Sequence, residues 1–307
     1  MEKVLVTGGA GFIGSHLVDG LLSKGYEITV LDSLLRGNKL SEEALKNVTF
    51  VKGDVRDQDL LIKLSTKCST IFHLAALLGV DIVADNSVET MDVEVVGIRN
   101  VVQAAVAQNV EKIIYASTSG VYGKTSMDRS VTEEVILDPR TSYSIAKRYN
   151  EIYLAAVYEE KGIQSLALRF FNVYGPRQDL RMVIPRFFKQ AINKENITVF
   201  GTGQQTRDFT FIDDVVKATI ILSEIVKGFE IFNIAKEQEE QIGVLAEKIK
   251  DLTKTSSVIQ YVDAPAKRYD FEVGRRFGCS AKLNKQIGFK PETSLDEGLQ
   301  KVYQYHL

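Results

Sequence analysis

Short apolar runs alternate with longer stretches in which apolar residues recur every three to four positions. Residues 4–7, 28–32, 48–52, 70–74, 112–117 and 164–170 each read as a strand of a buried sheet. Between them the apolar spacing predicts helices. The first carries Phe12, Ile13, Leu17, Val18, Leu21 and Leu22; others cover 57–66, 87–108 and 142–161. Strand and helix in alternation predict a doubly wound parallel sheet of the α/β class. After Asn172 the pattern loosens. Gly175-Pro176, Gly201-Thr202-Gly203 and Pro265 punctuate it, and helices are expected at 186–193 and 243–254. Residues 1–172 are thus expected to form the main sheet domain, with later segments returning to it. Residues 173–307 are expected to form mainly a smaller lobe. No Ser/Gly linker or internal repeat separates the two, so they are expected to pack together with a ligand between them.

The first strand runs into Gly8, Gly11 and Gly14, and a helix follows. Gly8 suits the tight strand-to-helix turn. Gly11 lets a pyrophosphate reach the N–H groups of the helix N-terminus, beside Phe12 and Ile13. Gly14 allows close packing of helix on sheet. The second strand ends at Asp32, whose carboxylate can accept from both hydroxyls of an adenine ribose. Its charge would repel a 2′-phosphate, which favours NAD over NADP. Arg36, four residues on, is expected in solvent beside the adenine edge. A Rossmann-type sheet with a smaller C-terminal substrate-binding lobe is the expected architecture.

The composition narrows the field. The chain has 307 residues, 45% hydrophobic and 25% charged, with net charge −2, which is ordinary for a soluble globular protein. That balance gives no reason to expect nucleic acid or membrane as partners. No apolar run reaches the roughly 20 residues of a membrane helix. The N-terminus Met-Glu-Lys leads into a strand rather than a signal peptide. Cys68 and Cys279 lie far apart, so a reducing cytoplasmic location is expected. His16, His73 and His306 form no metal constellation; His16 and His73 read as packing or supporting groups.

The helix over 87–108 carries Val88, Met91, Val95, Val96, Val101, Val102, Ala105 and Val106, apolar on more than one face. With Tyr149, Tyr153, Ala156 and Val157 of a later helix, its second face would pair with a second copy of the chain. The alternative is a helix buried within one subunit.

Tyr143 and Lys147 stand four apart in Ser142-Tyr143-Ser144-Ile145-Ala146-Lys147 and share one helix face. An ammonium beside a phenol favours the phenolate and is expected to lower its pKa from about 10 toward neutrality. Such a tyrosine can take a proton from a substrate alcohol while hydride leaves the same carbon. Upstream, Ala116-Ser117-Thr118-Ser119-Gly120-Val121-Tyr122-Gly123 puts hydroxyls at a strand end, where sheet ligands gather.

Taken in this order, these motifs resemble the extended short-chain dehydrogenase/reductases, and among them the nucleotide-sugar epimerases of the UDP-glucose 4-epimerase type. The resemblance covers nearly the whole chain. It implies that Thr118, Tyr143 and Lys147 are catalytic, with Lys147 also holding the nicotinamide ribose and Thr118 steering the sugar hydroxyl. It implies that Asp54-Val55 contacts adenine and that His73-Leu74-Ala75-Ala76 lines the cofactor. In Leu168–Arg177, Asn172 would meet the substrate diphosphate; in Arg207-Asp208-Phe209, Arg207 would face phosphate. Arg268, in Lys267-Arg268-Tyr269-Asp270-Phe271, matches an Arg that grips the diphosphate, although the following Gly-Asp of relatives is absent. Sister dehydratases place Asp-Glu after the catalytic Thr, and decarboxylases place Ser-Glu. Here Ser119-Gly120 stands instead, which favours oxidation and re-reduction at one carbon: epimerisation at C4 of a UDP-hexose. Related epimerases of UDP-glucuronate or UDP-N-acetylhexosamine remain alternatives, and a non-catalytic NAD-sensing or RNA-binding relative is a more distant one. Arg275-Arg276 would grip the diphosphate, pair with a C6 carboxylate, or lie in solvent. The resemblance implies NAD as cofactor and a UDP-sugar as substrate; the second apolar face of the 87–108 helix points to a homodimer, and the histidines and cysteines point to no metal.

Overall fold

A computed structural model describes residues 2–77, 86–127, 130–263 and 274–306. In the first half, strand and helix alternate: β1 (Lys3–Thr7), α1 (Phe12–Ser23), β2 (Glu27–Asp32), α2 (Glu42–Asn47), β3 (Thr49–Lys52), α3 (Gln58–Leu64) and β4 (Thr70–His73). Next come α4 (Ser87–Met91), a π-helical turn (Asp92–Val96), α5 (Gly97–Gln108) and β5 (Lys112–Thr118). A 3₁₀ stretch (Ser119–Met127), α6 (Ser142–Lys161) and β6 (Gln164–Phe170) complete this half. The helix expected over 87–108 is present without a break, with a wide π turn in its middle.

The remainder holds β7 (Val173–Tyr174), α7 (Val183–Ile192), β8 (Ile197–Phe200), β9 (Thr206–Asp208), β10 (Thr210–Phe211) and α8 (Ile212–Ile225). It continues with β11 (Phe229–Ile234), β12 (Glu239–Gln241), α9 (Ile242–Thr253), β13 (Ile259–Val262), α10 (Ala281–Ile287) and α11 (Leu295–His306).

Seven strands form one parallel sheet in the order β11-β6-β5-β4-β1-β2-β3. The order reverses between β1 and β4, which pair from Val4↔Thr70 to Thr7↔His73. This is the Rossmann-type doubly wound arrangement, whose ligand crevice lies beyond the carboxyl ends of the strands at that reversal. On one face α3, α5 and α6 bury Leu61, Ile98, Val101, Ala105, Leu154 and Val157 against Leu5, Ile71, Ile113 and Ala167. Val101, Val102, Ala105 and Val157 are thus core residues of one chain. Val88, Val106, Tyr149 and Ile152 stay exposed.

Two compact units result. One comprises 1–121, 139–169 and 216–232; the other comprises 122–138, 170–215 and 233–307. The second unit holds three short pairings: β7 with β10, β9 antiparallel to β12, and β8 with β13. Among the described residues, no helix is long and apolar enough to cross a membrane, and no cluster of His, Cys, Asp or Glu could hold a metal ion.

Candidate active site

The glycine turn sits at the carboxyl end of β1. Gly8 has φ +71°, and a Cβ there would lie 2.5 Å from Ala75 N. A side chain would therefore be strained in its backbone and collide with the segment after β4. At Gly14 a Cβ would stand 2.2 Å from Gly8 O, so only glycine lets α1 close on the turn. A Cβ on Gly11 would meet nothing but Gly8 O, at 3.2 Å, and would otherwise fill open space. No side chain caps α1, and its first turn contains no acidic residue. The leading N–H groups are left for an anion. Phe12 and Ile13 are half-buried beside them.

Asp32 is tied to this turn. Its Oδ2 accepts from Ala10 N at 3.0 Å and its Oδ1 from Leu34 N at 2.8 Å. Burial raises its pKa, against these backbone bonds. Gly11 N–H also bears on the carboxylate, which leaves a lone pair for a further donor. Arg36 is half-buried. Asp54 is clasped by Arg56, with 2.7 Å to Nη2, and that guanidinium holds its pKa below the usual carboxylate range. Arg56 in turn reaches Glu89 at 2.8 Å. The Val55 side chain is buried in the core, and Asn100 holds its carbonyl. Leu74, Ala75 and Ala76 are half-buried after β4. His73 is buried: Nδ1 lies 2.7 Å from Thr7 Oγ1, and the ring stacks on Tyr115.

α6 begins where Thr141 and Ser144 cap each other, with Ser144 N to Thr141 Oγ1 at 3.1 Å and Thr141 N to Ser144 Oγ at 3.0 Å. The box puts Tyr143 in the first turn, where the helix dipole favours negative charge. Lys147, one turn on, is buried; its ammonium donates to Ala116 O at 2.8 Å and lies 5.3 Å from the centre of the Tyr143 ring. Thr118, at the end of β5, accepts from Gly120 N at 3.1 Å and is hydrogen-bonded to the Tyr143 hydroxyl. The structure brings Tyr143 and Lys147 onto one side of α6, as their spacing predicts, and Thr118 to the Tyr143 hydroxyl.

One expectation fails. The Tyr143 phenol is not lowered toward neutrality. Burial first, and then Glu94, push it well above its ordinary value, with the Thr118 bond opposing them. Glu94, in the π turn, lies 3.1 Å from Lys147 Nζ and is fully buried, as is the lysine. Sequence reasoning missed this carboxylate. The available signal was a charge at a core position: Thr90, Glu94, Ile98 and Val101 share the buried helical spacing.

A second buried network fixes the frame of the site. Glu151 of α6 takes two bonds of 2.8 Å from Arg169 of β6 and one of 2.6 Å from Ser117 of β5. Arg148 adds a bond at 3.1 Å.

The other unit carries the remaining expected residues. Asn172 is half-buried, and its Oδ1 lacks a hydrogen-bond partner. Arg207 on β9 is buried and donates to Thr206 O at 2.7 Å. Asp208 accepts from the backbone of Lys236 and Glu237 at 2.9 and 3.0 Å, and burial pushes it up to about 7. Arg275 is held by Glu239 at 2.6 Å and lies over the Phe277 ring, so its charge is answered within the protein. Arg276 is half-buried. Arg268 lies outside the described residues.

Known proteins share this architecture. A UDP-N-acetyl-alpha-D-glucosaminuronate decarboxylase of Bacillus cytotoxicus is 36% identical over 99% of this chain and 97% of its own. The UDP-glucose 4-epimerase of Thermotoga maritima, solved with UDP-glucose, superposes with a TM-score of 0.92 at 31% identity, covering 99% of this chain and 98% of that one. A UDP-N-acetylglucosamine 4-epimerase of Methanobrevibacter ruminantium, solved with UDP-N-acetylmuramic acid, gives 0.91 at 31% identity with the same coverage. The profile of one family matches residues 4–235, and the glycine turn, Asp32 and the Tyr143–Lys147 helix all fall within them. The chain belongs to the NAD dependent epimerase/dehydratase family.

Proposed function

We propose that the chain is an NAD-dependent epimerase that inverts C4 of a UDP-hexose through a 4-keto sugar. The observation that carries this reading is the meeting of Thr118, Tyr143 and Lys147 at the end of β5, with Ser119 and Gly120 following Thr118. NAD, when bound, supplies a reversible two-electron acceptor for C4. The open side of Gly11 and the uncapped start of α1 at Phe12, Ile13 and Gly14 would take its pyrophosphate. Asp32 would take the adenine ribose, with Asp54, Val55 and Leu74–Ala76 alongside. Tyr143 Oη removes the proton of the 4-hydroxyl and returns it; Thr118 orients that hydroxyl. Two N–H groups of Lys147 point at Ala116 O and Glu94, and its third is left for a ribose hydroxyl. Asn172, Arg207 and Arg268 would hold the substrate diphosphate.

Water elimination needs a positioned acid and base beyond Tyr143, and Ser119-Gly120 offers neither. That argument weighs against a dehydratase. It weighs less against a decarboxylase, because a β-keto acid made by oxidising C4 of a uronate loses CO2 without a base. The full-length similarity to a uronate decarboxylase makes this the second reading.

Incubation with UDP-glucose, UDP-galactose, their N-acetyl forms and the corresponding uronates, with products separated by chromatography, tests both. Interconversion of a 4-epimer pair supports the first reading. Release of CO2 and a UDP-pentose from a uronate replaces it with the second. The exposed Val88, Val106, Tyr149 and Ile152 support pairing with a second copy, which sedimentation would measure.

A further inference from the structure

Glu94 has no task in the reaction just described, yet it is fully buried beside it. It belongs to the π turn, a wide turn that is uncommon and often found at functional sites. Its Oε2 lies 3.1 Å from Lys147 Nζ and 3.4 Å from Tyr115 Oη. Its Oε1 is buried without a hydrogen-bond partner. Asn150 of α6 pins the turn from below, donating to Glu94 O at 3.2 Å and to Tyr115 Oη at 2.8 Å. A fully buried carboxylate with one bare oxygen is costly, and removing its charge partner costs more. Nothing in the packing of the helix requires an acid there: its neighbours on the buried face are Thr90, Ile98 and Val101.

We propose that Glu94 is a positioning residue that engages the Lys147 ammonium and thereby sets the pH at which Tyr143 gives up its proton. Its effect on turnover rests on the reading of Tyr143 as proton acceptor; its effect on the phenol does not.

The charges around Tyr143 can be followed element by element. From α6 come Lys147, and Glu151, which is matched by Arg169 of β6 and by Arg148. From β5 come Thr118 and Tyr115, whose phenol burial holds far above its ordinary value. From β4 comes His73, which burial keeps neutral. From the π turn comes Glu94. This leaves an ammonium and a carboxylate facing the phenol with opposite signs. Burial is the first reason that the phenol keeps its proton; the carboxylate adds to it and, while paired, opposes the field of the ammonium. If the carboxylate becomes an amide, the ammonium acts on Tyr143 alone, and an opposite charge at that range favours the ionised form. Glu94 therefore delays formation of the phenolate until the pair is disturbed.

The test is a pH titration of the phenolate absorbance on protein carrying its retained NAD. Tyr143 is isolated by subtracting the same protein with Tyr143→Phe. In Glu94→Gln the Tyr143 midpoint is expected to fall below that of the unchanged protein, with the part due to burial remaining. If Tyr143 of the variant ionises at the same pH as in the unchanged protein, the proposal is overturned. Glu94→Asp keeps the charge but withdraws it from Lys147, so its midpoint should fall between the two. Should the amide variant not fold, an unmoved midpoint in Glu94→Asp is equally decisive against the idea. The acid limb of the kcat/KM profile should move down with the phenol. A phenol that moves while the acid limb stays upholds the role of Glu94 and refutes Tyr143 as the proton acceptor.

Discussion

Thr7 and His73 stand directly opposite each other on β1 and β4, at the reversal of the sheet, with Thr7 Oγ1 2.7 Å from His73 Nδ1. The contact fills the last register position before both chains leave the sheet. It ties the start of the glycine turn to the segment that holds Ala75, whose N–H also reaches Thr7 Oγ1 at 3.5 Å.

The burial of His73 makes stability depend on pH. Burial, and secondarily the charge of Lys147, lower His73 from 6.5 to about 3. The unfolded chain binds a proton near 6.5, and the folded chain does not until about 3. The stabilisation is therefore complete above 6.5 and is lost as pH falls toward 3. Urea midpoints measured above and below the ordinary histidine midpoint should fall with acid in the unchanged protein. The fall should be smaller in His73→Asn.

Tyr143→Phe removes one oxygen and keeps the ring. Turnover of the UDP-sugar should drop on the order of 10²–10⁴-fold, the usual effect of losing a positioned acid/base. NAD content after purification should be unchanged. Retention of near-normal turnover would remove Tyr143 from the chemistry.

Asp32→Ala should act in two ways, because the carboxylate holds Ala10 and Leu34 as well as facing the proposed ribose. NAD binding by calorimetry should weaken, and its advantage over NADP should narrow. An equal loss for both dinucleotides would limit Asp32 to holding the turn.

Arg169→Met should be severely destabilising. It strands Glu151 with only the half-exposed Arg148 as a charge partner. Breaking a buried pair costs about 3–5 kcal/mol, to be read as a lowered denaturation midpoint. The expected companion is a fall in kcat, since Glu151 joins α6, which carries Tyr143 and Lys147, to β5, which carries Thr118.

The sheet was legible because its strands are buried runs separated by helices with regular apolar spacing. α6 and β6 begin and end where the pattern puts them. Tyr143, Lys147 and Thr118 were legible because helix periodicity and a strand end place them independently of tertiary detail. The second unit was less so. β7 and β10 have two residues each and β9 has three, too few to show alternation. β11 joins the edge of the sheet beside β6 through a pairing that no local pattern announces. Glu94 was hidden for a different reason. A charge inside an apolar helix reads as a solvent-facing position, although its spacing with Thr90, Ile98 and Val101 marked the buried face. The state of Tyr143 followed from that omission, because the sequence offered the lysine without its counter-ion.

The π turn at Asp92–Val96 also works as a phase adjuster. An α-helix advances about 100° per residue, so an unbroken helix has no freedom to aim one segment apart from the next. The wide turn absorbs an additional residue while Glu94 stays on the buried face that it shares with Ile98 and Val101 of α5. Deleting one residue from this turn would restore a regular helix. It would shift the carboxylate along the helix and change its reach to Lys147 while Ile98 and Val101 kept their places. A length change of a single residue at this point would thus alter the chemistry of the site and leave the architecture standing, whereas the same deletion within α5 would rotate core residues out of the interior.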